Sequence, residues 1–192
     1  YGPNTGKYAQ IYSSDDYGVN WVISEISNTA TSSGYTAVAI TDNGYPQYFI
    51  NSDISKITYK TSSGATMTQL SGSFSKDYNA IACSTTGQYI TATEYNGDAF
   101  ISSNSGTTWT QITGLTIAYN ASISMSDDGK YQLIASNNLV TGVPTGPSGK
   151  VYFSSTSGTT WTEIVPSIVD PFGYYDTSVT RNGNYLLFRN VS

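Results

Sequence analysis

Few side chains in this chain of 192 residues could carry acid–base or nucleophilic chemistry. Histidine is absent, which removes serine–histidine and cysteine–histidine catalysis together with the commonest metal ligand. Hydrolysis of a glycoside needs two carboxylates that face each other across a cleft. The three glutamates are Glu25, Glu94 and Glu163. Glu25 and Glu163 stand shortly after Trp21 and Trp161, at matching places in two copies of a sequence segment that recurs along the chain. We therefore interpret both as solvated strand positions rather than as a catalytic pair.

The aspartates are concentrated where turns are expected, at 15–16, at 42 and at 127–128. A short polar side chain beside glycine can close a turn onto its own backbone, which explains them without a ligand. The D-x-D-x-D-G spacing of a calcium loop is met nowhere. Cys83 is the single cysteine, so it has no disulfide partner within the chain, and its apolar alternation predicts a buried small side chain. We therefore expect no catalytic residue, no metal and no cofactor.

The recurring segment organises the whole chain. The stretch 102–109 recurs almost identically at 154–161, with a more divergent copy at 14–21 and a degenerate copy at 60–67. The glycines of the four copies stand at 18, 64, 106 and 158, so the steps are 46, 42 and 52 residues. A regular period in this range is typical of repeat architectures.

A second recurring element is a short apolar alternation closed by a polar pair and a glycine, as a β-hairpin requires when its turn needs positive φ. With it, one unit holds four strands, near 79–84, 88–94, 98–103 and 107–112 in the clearest copy. Four-stranded antiparallel units of about 40–50 residues are typical of β-propeller blades. The sequence therefore predicts an all-β fold, a β-propeller of four-stranded antiparallel blades. The second elements end at Gly44, Gly87, Gly129 and Gly183.

The first segment, S-x-D-x-G-x-x-W in general form, resembles the Asp-box, also called the BNR repeat, of sialidases and related propellers. The resemblance implies a turn between the third and fourth strands of a blade, closed by the acidic or amide side chain, with the tryptophan packed against the neighbouring blade. The pattern lacks its carboxylate or its indole at Ser62, Thr156 and Met67. The predicted structural residues of the box are Ser14, Asp16, Gly18, Trp21, Gly64, Ser102, Asn104, Gly106, Trp109, Ser154, Gly158 and Trp161.

The tryptophans have two interpretations. Each offers a large apolar surface, on the order of 150–250 Å² when buried, and the recurrence of one spacing from glycine favours packing between blades. A ladder of indoles that stack on a ligand is the alternative.

The resemblance to sialidases also raises the question of their chemistry. Those enzymes hold a substrate carboxylate with three arginines and use a Tyr–Glu pair plus an acidic residue. This chain has two arginines, Arg181 and Arg189, and lysine is a poor substitute in bidentate recognition of a carboxylate. The three-arginine clamp therefore cannot be built from this chain, and we expect it not to be an enzyme.

We expect a single domain over 1–192. Residues 6–26 supply the last two strands of a unit and residues 175–190 the first two, so together they predict one composite blade that closes the ring. Membership of a larger ring is the alternative, and since Tyr1 stands where a translation start would place methionine, we favour a processed or truncated product. The stretch 142–149 is predicted to be a loop between the second and third strands of its blade. The three continuous blades are predicted near 34–72, 77–115 and 118–165.

Composition limits the partners. Only 11% of the residues are charged and the formal net charge is −5, so no basic stripe is present to neutralise phosphates and nucleic-acid binding is disfavoured. No apolar run is long enough to span a bilayer. The abundance of Tyr, Ser, Thr, Gly and Asn is typical of secreted, cell-surface or virion proteins, which gives the expected localisation.

The leading functional hypothesis is a non-catalytic binding or assembly module that recognises a glycan or a partner protein, with a homo-oligomer or larger assembly as an open option. One alternative is a fragment of an Asp-box glycoside hydrolase whose catalytic blades lie elsewhere. Another is a structural subunit of a filament, capsid or surface layer. Glycosylation candidates are Asn120 and Asn190, in N-x-S/T sequons. Aromatic candidates for ligand contact are Tyr45, Tyr48, Tyr95, Tyr119, Phe172, Tyr174 and Tyr175.

Overall fold

The computed structural model describes residues 10–26, 34–52, 54–95, 97–117, 121–137, 139–140, 143–144, 149–165 and 173–190. These residues form strands and turns, and none of them is helical. The strands are β1 (Gln10–Ser13), β2 (Val22–Ile26), β3 (Tyr35–Ile40), β4 (Gln47–Asn51), β5 (Lys56–Lys60), β6 (Thr68–Gln69), β7 (Tyr78–Cys83), β8 (Ile90–Glu94), β9 (Ala99–Ser102), β10 (Thr110–Ile112), β11 (Ser122–Met125), β12 (Gln132–Ala135), β13 (Leu139–Val140), β14 (Val143–Pro144), β15 (Val151–Ser154), β16 (Thr162–Ile164), β17 (Tyr174–Val179) and β18 (Leu186–Asn190).

Three four-stranded antiparallel sheets follow one another along the chain. Blade 1 has the strand order β3-β4-β5-β6, blade 2 has β7-β8-β9-β10, and blade 3 has β11-β12-β15-β16. Each blade is a meander in which adjacent strands are also consecutive in sequence. The exception is the small β13–β14 hairpin, which is inserted between the second and third strands of blade 3 where the sequence predicts a loop at 142–149. Most of that stretch lies outside the described residues.

Tight turns link the first and second strands of each blade. In blade 2 the N–H of Gly87 donates to the carbonyl of Ser84 (2.9 Å), and in blade 3 Gly129 makes the matching bond to Ser126 (2.9 Å). Gly87 and Gly129 have φ values of 71° and 72°, a region that residues with a Cβ adopt at a cost. The polar residues and glycine of these turns therefore serve the backbone, as the sequence predicts.

The core consists of three clusters, and each lies between neighbouring sheets. The first joins blade 1 to blade 2, the second joins blade 2 to blade 3, and the third joins blade 3 to the β17–β18 hairpin. Because blade 3 is covered on both faces, its second strand has no solvent face, and every residue of β12 is buried. Residues from the two sides of the three clusters are Leu70 with Trp109, Ala99 with Tyr152, and Leu133 with Tyr174.

Two hairpins flank the blades. The first hairpin (β1–β2) and the last hairpin (β17–β18) form separate two-stranded sheets. The last hairpin packs on blade 3, whereas the first contacts blade 1 through Lys60, whose ammonium donates to the carbonyl of Ser24 (2.8 Å). The composite blade expected from residues 6–26 and 175–190 is thus not joined by hydrogen bonds between these sheets, and it stays a prediction.

Candidate functional site

Three copies of the recurring segment form the same turn between two paired strands. We call 14–21 repeat turn 1, 102–109 repeat turn 2 and 154–161 repeat turn 3. Two successive residues of each turn have positive φ, for example Tyr17 at 59° and Gly18 at 85°. Two positive φ values in succession are those of a type I′ hairpin turn, which matches the twist of the strands that it joins.

Side chains close repeat turn 2 onto its own backbone. The Ser102 hydroxyl donates to Oδ1 of Asn104 (3.0 Å) and accepts from the N–H of Gly106 (2.8 Å). Oδ1 of Asn104 also accepts from the N–H of Thr108 (2.9 Å). The indole N–H of Trp109 donates to the carbonyl of Gly106 (3.2 Å). Each polar group of the pattern therefore has a partner inside the turn, and none is directed at a ligand.

Repeat turns 1 and 3 use the same arrangement with different atoms. In turn 1, Oδ1 of Asp16 accepts from the N–H of Asn20 (2.8 Å) and from the Ser14 hydroxyl (2.8 Å), and these bonds hold the pKa of Asp16 below its usual value. In turn 3, the hydroxyl oxygen of Thr156 accepts from the N–H of Thr160 (2.9 Å). A hydroxyl thus replaces the missing carboxylate.

The degenerate copy at 60–67 keeps only part of this turn. The N–H of Ala65 donates to the carbonyl of Ser62 (3.1 Å), as Thr107 does to Asn104 in turn 2 (3.2 Å), but Gly64 is not in the positive-φ region. Met67 stands where the other copies have tryptophan, and its sulfur accepts from the Thr58 hydroxyl (3.1 Å). Gly64 therefore stands at the predicted turn position without the positive φ of its counterparts, and its structural role stays a prediction.

The three tryptophans differ in burial. Trp109 lies in the cluster between blades 1 and 2 and is 8% exposed. Trp161 is half-buried and packs on the cluster between blades 2 and 3, which also includes Ile112 and Leu115 of the preceding blade. Trp21 is 62% exposed. Packing against a neighbouring blade therefore holds for Trp109 and Trp161 and does not hold for Trp21, whose ring is largely exposed.

A groove lies between the outer strand of blade 2 and repeat turn 3. We call it the blade 2–3 groove; its volume is about 750 Å³. Exposed hydroxyl and amide side chains border it, and Trp161 contributes a half-buried ring. This combination fits a neutral, hydroxyl-rich ligand with an apolar face. The exposed polar residues of the groove are Ser103, Thr108, Thr110, Gln111, Thr113, Thr159 and Thr160.

The aromatic and charged groups of the groove are already paired within the protein. The Tyr152 hydroxyl accepts from the N–H of Thr116 (2.9 Å), and the indole N–H of Trp161 donates to the carbonyl of Gly158 (2.9 Å). Glu163 at the rim accepts from the ammonium of Lys150 (2.8 Å), and this bond raises the pKa of Lys150. The rings therefore offer apolar surface, while the exposed hydroxyls and amides offer hydrogen bonds.

A second feature is a relay of backbone hydrogen bonds that we call the turn ring: Asp42, Thr85, Asp127 and Arg181. The N–H of Asp42 donates to Thr85 (3.0 Å), that of Thr85 to Asp127 (2.8 Å), and that of Asp127 to Arg181 (3.0 Å), each time to the carbonyl. These residues hold one equivalent position in four successive turns, so the relay links the blades at their inner ends.

Arg181 adds charge pairing to the turn ring. Its guanidinium contacts the carboxylate of Asp127 and lies 3.9 Å from that of Asp42, and the bond to Asp127 raises the pKa of Arg181. A cavity of about 430 Å³ lies beside the turn ring and includes Cys83. Burial raises the pKa of the Cys83 thiol to about 12, so it is protonated at neutral pH and unreactive as a nucleophile. The burial of this side chain is partial rather than complete.

Two of the aromatic candidates need correction. Tyr48 is 1% exposed, and burial raises its pKa to about 12. Tyr174 is also buried, with its ring edge-on against Phe188 (5.2 Å). Both belong to the clusters between blades, so their rings cannot meet a ligand. Sequence reasoning missed this because strands covered on both faces do not distinguish an inward from an outward residue.

The other candidates have different environments. Tyr45 and Tyr175 are half-buried, with the guanidinium of Arg189 over the Tyr175 ring (5.6 Å), and Tyr95 is exposed. None of the three lines the blade 2–3 groove. The remaining candidates, Tyr119, Phe172 and Asn120, and the side chains of Glu25 and Asn190, lie outside the described residues.

The two glutamates with described side chains are each paired with a lysine. Glu94 forms an ion pair with Lys76 (3.1 Å) and Glu163 one with Lys150 (2.8 Å). Within the described ranges, no group of three His, Cys, Asp or Glu side chains could hold a metal ion. The same ranges contain no helix of the length and apolar character that crossing a membrane requires.

Comparison with known proteins identifies the fold. No family model matches the chain, and no curated protein matches it. Among solved structures, an ancestral GH74 enzyme superposes with a TM-score of 0.65 at 18% identity, over 97% of this chain and 26% of that one. The GH74 enzyme of Niastella koreensis gives 0.63 at 18% identity, over 91% and 29%. A nidogen/laminin complex gives 0.58 at 13% identity, over 80% and 56%.

These neighbours support one structural conclusion. The chain folds as a β-propeller of four-stranded antiparallel blades, so the predicted fold class is confirmed. The chain spans between about a quarter and a little over half of the length of these neighbours.

Proposed function

We propose that this propeller is a non-catalytic binding module of a secreted, cell-surface or virion protein, and that it binds a glycan through the blade 2–3 groove. The Asp-box relationship of the repeat turns is part of this proposal. The observation that carries it is the groove itself, where exposed Thr and Gln side chains surround the half-buried Trp161 ring. Sugars present hydroxyls at their edges and C–H groups on their faces, and this groove offers partners for both.

The described carboxylates and cations support a role without catalysis. Glu94 and Glu163 are each held by a lysine, and Arg181 and Arg189 are paired with aspartates of the same chain. A substrate carboxylate clamp needs arginines that are free to turn towards one ligand. A glycan that is bound and released unchanged needs only the hydrogen bonds and the apolar contact of the groove.

A glycan array with the purified chain tests the proposal, followed by a matched pair of variants. Gln111 lines the groove, and Gln69 stands at the equivalent exposed position of blade 1. Gln111→Ala removes a hydrogen-bonding group and is expected to weaken binding about two- to tenfold, while Gln69→Ala leaves it unchanged. If no glycan binds, or if both variants weaken binding equally, the groove is not the site.

A protein partner is the second candidate for the same module. The nidogen/laminin complex is a propeller neighbour whose structure is that of a protein complex, which favours this option. Pull-down with immobilised chain, compared with the Gln111→Ala variant, separates a protein partner at the groove from one bound elsewhere.

An enzyme whose catalytic blades lie outside these residues is a further candidate, and the GH74 enzymes among the neighbours favour it. It requires a longer precursor with a carboxylate pair in the added blades. Intact mass of the natural protein, together with polysaccharide hydrolysis by the precursor and by this chain, tests it. Hydrolysis by this chain alone would overturn the non-catalytic proposal. A structural subunit of a filament, capsid or surface layer is the last candidate, and the exposed apolar residues Val38 and Leu187 would serve its contacts.

A further inference from the structure

Four turns of one kind join the first two strands of each blade and the two strands of the last hairpin. We call them inner turns 1 to 4; they span 41–46, 84–89, 126–131 and 180–185. Each begins with a threonine or a serine, and its fourth residue is a glycine with positive φ. In all four the N–H of this glycine donates to the carbonyl of the first residue. The turns are therefore matched in their backbone, and they differ in what their side chains do.

Side chains close inner turns 2, 3 and 4. The hydroxyl of the first residue accepts the N–H of the sixth residue, which is a tyrosine in each of these turns (3.0–3.1 Å). The side-chain oxygen of the third residue accepts the N–H of the fifth. In inner turn 4, Oδ1 of Asn182 accepts from the N–H of Asn184 (3.1 Å) and from the hydroxyl of Thr180 (3.2 Å). The third residue is thus held against the backbone of its own turn.

Inner turn 1 lacks these bonds, because its sixth residue is Pro46. Proline has no N–H to donate, and the hydroxyl of Thr41 is buried without a partner among the described residues. The N–H of Thr41 lies 3.4 Å from the carbonyl of Pro46, against 2.8–3.0 Å for the matching bond in the other turns. The third residue, Asn43, is exposed, and its side chain makes no hydrogen bond within the part of the chain that the structure describes. The Asn43 amide is therefore free to rotate.

Freedom of this amide matters because Asn43 and Asn182 are each followed by glycine. The backbone nitrogen of a glycine can attack the side-chain carbonyl carbon of the asparagine before it, since glycine has no Cβ to obstruct the approach. The new C–N bond closes a five-membered succinimide, the glycine nitrogen loses its proton, and the side-chain nitrogen leaves as ammonia. Water then opens the ring at either carbonyl and gives aspartate or isoaspartate. The reaction consumes water, releases ammonia and needs no oxidant or cofactor.

We propose that Asn43 is a site of spontaneous deamidation in the folded protein and that Asn182 is protected, although both stand in the same dipeptide and the same kind of turn. The attack requires the asparagine side chain to rotate until its carbonyl carbon meets the next backbone nitrogen. Asn43 rotates without breaking a bond, whereas Asn182 must first give up its bonds to Thr180 and Asn184. The loss of two ordinary hydrogen bonds corresponds to a rate that is roughly tenfold lower.

The product changes the charge at the inner ends of the blades. The guanidinium of Arg181 is shared between the carboxylates of Asp42 and Asp127, and deamidation adds a further carboxylate directly after Asp42. The formal net charge of −5 becomes one unit more negative. Isoaspartate also lengthens the backbone by one carbon, which displaces the N–H of Gly44 from the carbonyl of Thr41 (3.0 Å). The modification therefore makes the cavity beside the turn ring more acidic and loosens the turn that borders it.

Peptide mapping by mass spectrometry of the folded full-length chain tests the proposal. The chain is incubated in mildly alkaline buffer, where the glycine N–H loses its proton more readily, and deamidation of each asparagine is followed over time. We expect Asn43 to react roughly tenfold or more faster than Asn182. In the same chain unfolded by urea the bonds of inner turn 4 are lost, so the two rates should become similar. Asn96 also precedes glycine and lies outside the described residues, so its peptide is measured separately.

Two matched pairs of variants locate the cause. Asn43→Gln lowers the fraction of acidic species on ion exchange, because glutamine would have to close a larger ring, and Asn182→Gln leaves that fraction unchanged. Thr180→Val removes a hydroxyl that holds Asn182 and is expected to speed deamidation there roughly threefold or more. Thr41→Val removes a hydroxyl without a partner and leaves the rate at Asn43 unchanged.

Three results would overturn the proposal. They are a folded chain in which Asn43 does not react, equal rates at Asn43 and Asn182 before unfolding, and a Thr180→Val chain whose Asn182 stays as protected as in the wild type. None of these measurements involves a glycan, so their failure is distinct from failure of the blade 2–3 groove to bind one.

Discussion

Repeat turns 1 and 2 have the same internal bonds and very different surroundings. The indole N–H of Trp21 donates to Gly18 (3.0 Å) and that of Trp109 donates to Gly106 (3.2 Å), in both cases to the carbonyl. Yet Trp21 is largely exposed and Trp109 is buried. The turn is therefore specified by its own eight residues, whereas the burial of its tryptophan is specified by the blade alongside.

This difference separates two contributions to stability. Local hydrogen bonds and positive φ values shape the turn, and each is worth little by itself. The apolar clusters between blades stabilise the fold more strongly, because burial of an aromatic side chain removes a large area from water. The same substitution at equivalent positions of turns 1 and 2 should therefore lower the free energy of unfolding by different amounts. The difference is the energy of packing between blades.

The largest effect is expected when the two tryptophans are removed. Trp109→Ala leaves a cavity between blades 1 and 2 and is expected to lower the free energy of unfolding by about 3–5 kcal/mol. Trp21→Ala, at a largely exposed position, is expected to cost less than about 1 kcal/mol. Urea unfolding followed by the remaining tryptophans measures both. Equal costs would break the comparison.

Alanine substitutions at the turn glycines test the same comparison between repeat turns 1 and 2. Gly18 (φ 85°) and Gly106 (φ 81°) both have left-handed backbone, so alanine costs about 1 kcal/mol at either position. At Gly106 a Cβ would also meet Cδ2 of Leu70 from blade 1 at 2.6 Å, whereas at Gly18 the nearest atom is Cζ2 of Trp21 at 3.8 Å. Gly106→Ala is therefore expected to cost about 1–3 kcal/mol more. The denaturant midpoints of the two variants measure this difference. A larger loss of stability in Gly18→Ala than in Gly106→Ala would contradict the packing of repeat turn 2 against blade 1.

The smallest expected effect concerns pH. The N–H of Asn20, the Ser14 hydroxyl and the Asn20 amide lower the pKa of Asp16 in the folded turn. A lowered folded pKa stabilises the turn above the ordinary carboxyl pKa of 3.8, and this contribution is lost as the pH falls through the folded value. Turn 2 has Asn104 at that position and does not titrate. NMR titration should show the Asn20 amide shifting at acid pH and the Thr108 amide unchanged, and Asp16→Asn should abolish the difference.

Local patterns in the sequence predict the repeat and its turns well. The S-x-D-x-G-x-x-W spacing predicts turns 1 and 2, because their bonds join residues two to four apart. Turn 3 forms although its carboxylate is missing, since the Thr156 hydroxyl accepts the same backbone N–H. A threonine at that position therefore also indicates the turn, and a pattern that requires an acidic residue there does not detect it.

Features that depend on several blades were not predicted from the sequence. Tyr48 looks exposed in a turn-rich segment but is buried by the neighbouring blade. The blade 2–3 groove combines residues of β10 with those of repeat turn 3, and Arg181 meets Asp42 far along the chain. Such groupings follow from how one blade is placed on the next, which no single repeat encodes.

Acrylamide quenching of single-tryptophan variants tests most directly whether blades stack around these indoles. Two chains suffice, one with Trp109 alone and one with Trp21 alone, the other tryptophans being replaced by phenylalanine. In the monomer, Trp109 should be protected from acrylamide and Trp21 readily quenched, as their burial requires. Equal quenching of the two indoles in a folded monomer would contradict the stacking of blade on blade.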